Sequence, residues 1–205
     1  MPSKKRKQYL RLLLGTFILL WAILAITPNY RYDWFLENIL VFVGVPYVLY
    51  LHRRVPLSNV SYTFIFLFLV VHCYGAHYTY SETPVGRMVS DWFGAERNHY
   101  DRFVHFMWGF LLTIPVFEIF QKKVGRKVRI NFLFACSVLL SFGVAYEFME
   151  WATALLVAPE AGTAFLGTQG DEWDAQKDLI LGLLGSVGSV VFLPLVLRKK
   201  EKPTV

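Results

Sequence analysis

Apolar residues along this chain come in long unbroken runs. They show neither the alternation of a half-buried strand nor the one-sided stripe of a helix on a soluble core. Six stretches, residues 9–27, 34–51, 60–80, 103–121, 131–157 and 178–197, come close to the roughly 20 apolar residues needed to cross a hydrocarbon layer about 30 Å thick. The pattern predicts an all-α fold, a polytopic membrane helix bundle of about six transmembrane helices, with residues 1–205 as a single transmembrane domain. The second stretch is the weakest, with Glu37 in its first turn and Pro46 near its end. Pro115 and Pro194 also fall inside spans, where partner helices tolerate a kink. The long connections 81–102 and 158–177 carry no obvious regular structure, and loops of that kind are often functional.

Composition agrees with lipid as the solvent. Of the 205 residues, 55% are hydrophobic and only 18% charged, against roughly a quarter charged in an average soluble domain. Cys73 and Cys136 both sit inside apolar runs, which argues against a structural disulfide and leaves the redox compartment unread.

The charges give the spans a direction. Lys4, Lys5, Arg6, Lys7 and Arg11 precede or open the first span, and Arg53 and Arg54 follow the second. Lys122, Lys123, Arg126, Lys127 and Arg129 lie between the fourth and fifth. Arg198, Lys199, Lys200 and Lys202 end the chain. If the spans alternate, these 16 of the 21 cations share one side, and the positive-inside rule makes that side cytoplasmic, with both termini on it. The formal net charge of +6 is then explained by anionic lipid heads and calls for no nucleic acid. A basic start followed by an apolar run is also the plan of a signal peptide. No small-x-small cleavage pattern follows, so the first span is expected to remain as an anchor. Trp34, Trp92, Trp151 and Trp173 fall where an outer interfacial belt is expected.

The acids are more asymmetric still. Asp33, Glu37, Glu82, Asp91, Glu96, Asp101, Glu147, Glu150, Glu160, Asp171, Glu172, Asp174 and Asp178 fall on the outer side, leaving only Glu118 and Glu201 inside. Glu147 and Glu150 share a face of the fifth span, about 24 and 28 Å from its start at Asn131. Carboxylates at such depth are costly and mark a functional site by default; pairing with Arg97 or Arg102 is the plain structural alternative. Asp101 and His105 stand one turn apart at the start of the fourth span, with Gly109 one turn deeper, and Asn98 or Asp101 is the expected cap. Asp171, Asp174 and Asp178 form one stripe that continues as Gly182, Gly185 and Ser189. An acidic first turn with Asp171 as cap would explain part of it. His72 and His77 are five residues apart, so a straight helix cannot aim both at one point. Glu118 has Lys122 at i+4.

Three spans thus bring His105, Glu147, Glu150, Asp171, Asp174 and Asp178 to a similar depth, with Asp101 beside them. One imidazole among many oxygens suits Ca²⁺, Mn²⁺, Fe or Zn²⁺, and a divalent metal ion is the one cofactor the pattern suggests. Glu147, Asp171 and Asp101 are the candidate catalytic groups. The same acids would also serve a metal-free proton relay, or only hold the bundle together. No Gly-x-Ser-x-Gly elbow, His-Glu-x-x-His pair, Walker A loop or pair of similar halves occurs.

Three stretches carry a resemblance: Tyr100-Asp101-Arg102-Phe103-Val104-His105-Phe106, the Glu-Phe-Met-Glu-Trp of Glu147 to Trp151, and Thr168 to Asp178. In these the chain resembles the YjdF-like family of bacterial inner-membrane proteins, over most of its length and most closely from Tyr100 to Gly185. The resemblance implies a multi-pass protein of the bacterial inner membrane and assigns no activity and no catalytic residue. Three functions remain open: a membrane-embedded metal-dependent hydrolase or transferase acting on a lipid or other envelope molecule, a small ion or proton transporter, and a structural or assembly protein. Membrane lipid is the expected partner; the residues name no protein partner.

Overall fold

The computed structural model describes residues 3–156 and 167–197. Every regular element among them is helical: α1 (Lys4–Leu24), α2 (Arg31–Glu37), α3 (Ile39–Arg54), α4 (Asn59–His77), α5 (Pro84–Phe93), α6 (Tyr100–Lys123), α7 (Val128–Leu156) and α8 (Asp174–Gly188). A 3₁₀ turn (Ser189–Phe192) and α9 (Leu193–Leu197) follow. Six helical segments are long and apolar enough to span a membrane, with α2–α3 and α8–α9 each counting as one. Val157, Glu160 and the tail residues Arg198, Lys199, Lys200, Glu201 and Lys202 lie outside the described residues.

Large apolar side chains point outward along the spans: Leu19 is 62% exposed, Leu133 63% and Phe148 65%. Soluble proteins rarely carry contiguous apolar surface of this extent; here it is the surface that meets lipid. The interior is correspondingly rich in polar side chains. Asn38, Ser61, Thr113, Asn131 and Ser189 are fully buried, and interhelical hydrogen bonds take up much of that polarity.

The spans alternate in direction, as contacts at both ends show. At one end Arg6 donates to the Leu57 carbonyl. There the Ser58 amide donates to both Glu118 oxygens at 2.9 Å, and Asn131 donates to Gln121 at 2.7 Å. At the other end His77 Nδ1 meets the Leu24 carbonyl at 2.8 Å, and Arg97 and Arg102 reach across to Asp174. The first is the basic end and the second the acidic end. Glu118 has Lys122 at 2.6 Å, as its spacing predicts, and in addition the Ser61 hydroxyl at 2.6 Å.

The closest packing is between α6 and α8. A Cβ on Gly109 would stand 1.9 Å from the Gly182 carbonyl oxygen, and one on Gly185 would stand 2.1 Å from the Phe106 carbonyl oxygen. Only glycine permits backbones this near. The small-residue stripe on α8 therefore faces α6 and fixes how deep Asp178 sits beside Asp101 and His105. The helix narrows to the 3₁₀ turn just before Pro194, whose ring nitrogen has no proton to continue the α-helical bonding.

Three local features depart from the sequence reading. The second span is interrupted at Asn38, whose side chain donates to the Trp34 carbonyl at 2.7 Å and accepts from the Trp21 indole at 2.7 Å. Trp34 is buried, packed 5.8 Å from the Trp21 ring, so it is no part of an interfacial belt; Trp92, Trp151 and Trp173 are exposed. The 81–102 connection contains α5, opened by Pro84 and closed by Gly94 at φ 63°. Its Val85, Met88, Val89, Trp92 and Phe93 make one exposed apolar face, the pattern of a helix lying along a membrane surface. Pro at the first turn, Gly past the last and apolar positions at i, i+3, i+4, i+7 and i+8 were the signals for it.

Candidate functional site

The start of α6 is anchored before any charge is considered. Asn98 Oδ1 accepts from the Tyr100 amide at 3.0 Å, and its Nδ2 donates to the Thr83 carbonyl at 3.0 Å. The Gln169 side chain bonds both the amide and the carbonyl of Asn98, at 2.9 and 3.0 Å. The segment ahead of α8 is thereby held against the segment ahead of α6, and two arginines reach Asp171, just ahead of α8, and Asp174, in its first turn.

Asp171, Asp174 and Asp178 divide into two environments. Arg97 Nη2 lies 2.6 and 2.7 Å from the two oxygens of Asp174, and its Nη1 donates to the Thr168 carbonyl. Arg102 pairs with Asp171 and, at 3.1 Å, with Asp174. Lys177 lies 2.6 Å from Asp171. The hydrogen bond from Lys177, the Trp173 amide and the guanidinium of Arg102 hold the Asp171 carboxyl well below the usual carboxylate range. Asp171 and Asp174 form a neutralised rim. The arginines considered as partners for Glu147 and Glu150 are engaged with them.

Deeper in the bundle the charge balance changes. One ligand atom from each of Asp101, His105 and Asp178 lies within 4.8 Å of the other two. His105 Nε2 is 3.7 Å from Asp101 Oδ1 and 3.5 Å from Glu147 Oε1, too far for good hydrogen bonds. Asp178 is 2% exposed. Its Oδ1 and Glu147 Oε1 are buried with no hydrogen-bond partner among the described residues. Two donors each about 2.0–2.4 Å from one ion are at most about 4.8 Å apart, so this spacing can accommodate a metal.

A cavity of about 120 Å³ adjoins these groups, lined by Glu37, His72, Tyr80, Asp101, His105, Tyr146 and Glu150 among apolar neighbours. None of its lining residues is a Lys or Arg. Tyr146 donates to Glu37 Oε2 at 2.5 Å. His72 Nε2 is 3.1 Å from the Glu37 carbonyl, and the Tyr80 hydroxyl is 2.6 Å from His72 Nδ1. Tyr80 reaches in because Thr79 and Tyr80 turn at φ 53° and 38°. That turn lays the Tyr80 ring against Gly75, where a Cβ would stand 2.7 Å from it. His72 therefore faces the cavity, and His77 ties α4 to α1.

Of the residues singled out from sequence, the structure gathers Asp101, His105, Glu147 and Asp178, lines the adjoining cavity with Glu150, and places Asp171 and Asp174 in the rim. The sequence reading missed Glu37, Tyr146 and Tyr80 as neighbours of this group. Glu37 had a signal, an acid within an apolar stretch. The two tyrosines had none, because aromatic residues are abundant throughout the spans.

Six apolar helical spans around a buried acid–histidine cluster define a multi-pass membrane protein. The chain belongs to the family described as predicted membrane protein (DUF2238), which matches residues 9–199. It is 38% identical over 181 residues to inner membrane protein YjdF of Escherichia coli (strain K12), covering 87% of this chain and 84% of that one. No solved structure matches it.

Proposed function

We propose that this protein is a metal-dependent enzyme of the bacterial inner membrane, with both termini cytoplasmic and its polar cavity opening to the outer face. The observation that carries the reading is the convergence of Asp101, His105 and Asp178 within 4.8 Å, beside a Glu147 oxygen that has no partner among the described residues. A buried set of carboxylates with one imidazole and no directly paired Lys or Arg among the described residues is costly unless a divalent ion joins it or protons do. Asp101, His105, Glu147 and Asp178 are the ligands in this reading. Glu37 and Glu150, which line the same cavity, take a proton from water in this reading. The reaction is metal-assisted hydrolysis or group transfer on a lipid or other envelope molecule, to which apolar walls give access. The orientation is supported by the cations gathered at the basic end, and the compartment by the inner-membrane relative.

The test is elemental mass spectrometry on detergent-purified protein, loaded with Zn²⁺, Mn²⁺ or Ca²⁺ and freed of excess. Near one equivalent is expected in the wild type and in Asp171→Asn. Less than about a tenth is expected in Asp178→Asn combined with Glu147→Gln. Equal metal in all three, or none in the wild type, sinks the metal reading. A metal-free acid–base site is then favoured by the Tyr146–Glu37 and Tyr80–His72 hydrogen bonds, and single acid-to-amide changes that alter stability alone would point to a structural network.

A further inference from the structure

At the basic end a second cavity opens between α1, α3 and α4. It is larger, about 430 Å³, within the range of sites that hold small organic ligands. Its walls are apolar along most of their length and include the buried Phe17 and Leu69, and its polar lining residues are Lys7, Arg11, His52 and Tyr62. No carboxylate lines it. Tyr62 accepts from the Leu57 amide at 3.2 Å and meets His52 Nδ1 at 2.6 Å, which holds the imidazole at the mouth.

Its dimensions match those of a lipid. Lys7 and Phe17, ten positions apart on α1, are about 15 Å apart along the helix axis. That is half of a hydrocarbon core about 30 Å thick, or one leaflet. The cations stand where the headgroups of that leaflet lie, and the apolar walls run inward from them. Basic pockets between spans are a recognised mode of anionic headgroup binding. We propose that this groove is a binding site for one anionic phospholipid of the adjoining leaflet, its phosphate held by Lys7 and Arg11 beside His52, and one acyl chain lying between α1, α3 and α4. The site lies at the opposite end from the acid–histidine cluster and does not depend on what that cluster does.

The experiment is native mass spectrometry on the full chain released from nanodiscs of phosphatidylglycerol and phosphatidylcholine in equal amounts. The wild type retains one phosphatidylglycerol, preferred by on the order of tenfold or more, as two cations near a headgroup imply. Lys7→Gln with Arg11→Gln abolishes the preference. Leu14→Trp, which fills the groove without changing charge, abolishes retention of either lipid. Lys4→Gln with Lys5→Gln removes the same charge from the exposed start of α1 and leaves retention unchanged. Equal retention of both lipids by the wild type overturns the proposal. So does an equal loss in the Lys4/Lys5 control, which would mean diffuse attraction to the surface, or undiminished retention in a folded Leu14→Trp variant.

Discussion

The acidic rim and the acid cluster beneath it lie about one helical turn apart on α8, yet they are opposite in electrostatic character. Asp171 and Asp174 are matched by Arg97, Arg102 and Lys177, whereas Asp178 has an oxygen buried without a partner among the described residues. A rim of ion pairs closes the segment ahead of α8 onto α6. Among the described residues no Lys or Arg forms an ion pair with the cluster below, because Arg97 and Arg102 are engaged with the rim. In the proposed function, the first holds the bundle together and the second binds an ion or a proton.

The comparison fails if the α6–α8 crossing does not set the depth of Asp178. Gly109→Leu drives a side chain into the Gly182 carbonyl and should destabilise the bundle by about 3 kcal/mol or more, with metal binding lost as well. Reversible unfolding in mixed micelles measures the first and elemental analysis the second. A stable, metal-loaded Gly109→Leu protein would show that the crossing yields and that depth is set elsewhere.

A sharper contrast comes from changing one group in each region. Arg97→Gln removes the principal cation beside Asp174, whose side chain is only 5% exposed, and should cost about 3 kcal/mol in the same unfolding assay. Asp178→Asn removes a buried charge and should leave the metal-free protein unchanged or more stable by about 1 kcal/mol. Losses of similar size in both variants would erase the distinction between rim and cluster.

The smallest effect concerns acid. The Asp171 carboxyl is held below its ordinary value, so its contribution is complete above the unfolded carboxylate range near pH 4. It is lost as pH falls from there through the depressed folded value. Asp171→Asn should lower stability at neutral pH, where the carboxylate contribution is complete, and flatten the acid limb of the profile below about pH 4. An unchanged acid limb would mean that the Lys177 and Arg102 contacts contribute nothing in solution.

Much of this was legible along the chain. Run length predicts the spans, and helical spacing puts Asp101 with His105 and Glu147 with Glu150. The Gly182, Gly185 and Ser189 stripe foretells a close neighbour. Less legible were the interruption at Asn38, where a buried side chain adds a second bond to the Trp34 carbonyl that the Asn38 amide also uses, and α5, whose length is that of a loop. The partners of the two arginines were not legible at all. Arg97 and Asp174 are 77 positions apart, and Tyr146 and Glu37 are 109, separations over which no local pattern carries information.

The sequence by itself determined that this chain lives in lipid, how many times it crosses, and that its acids and cations gather at opposite ends. Those properties follow from transfer between water and hydrocarbon, which acts on each segment separately and is written in consecutive residues. Only the tertiary structure decided which carboxylates are neutralised and which are left facing His105 and a cavity. That depends on how two glycine-backed helices cross and on where side chains from distant loops come to rest.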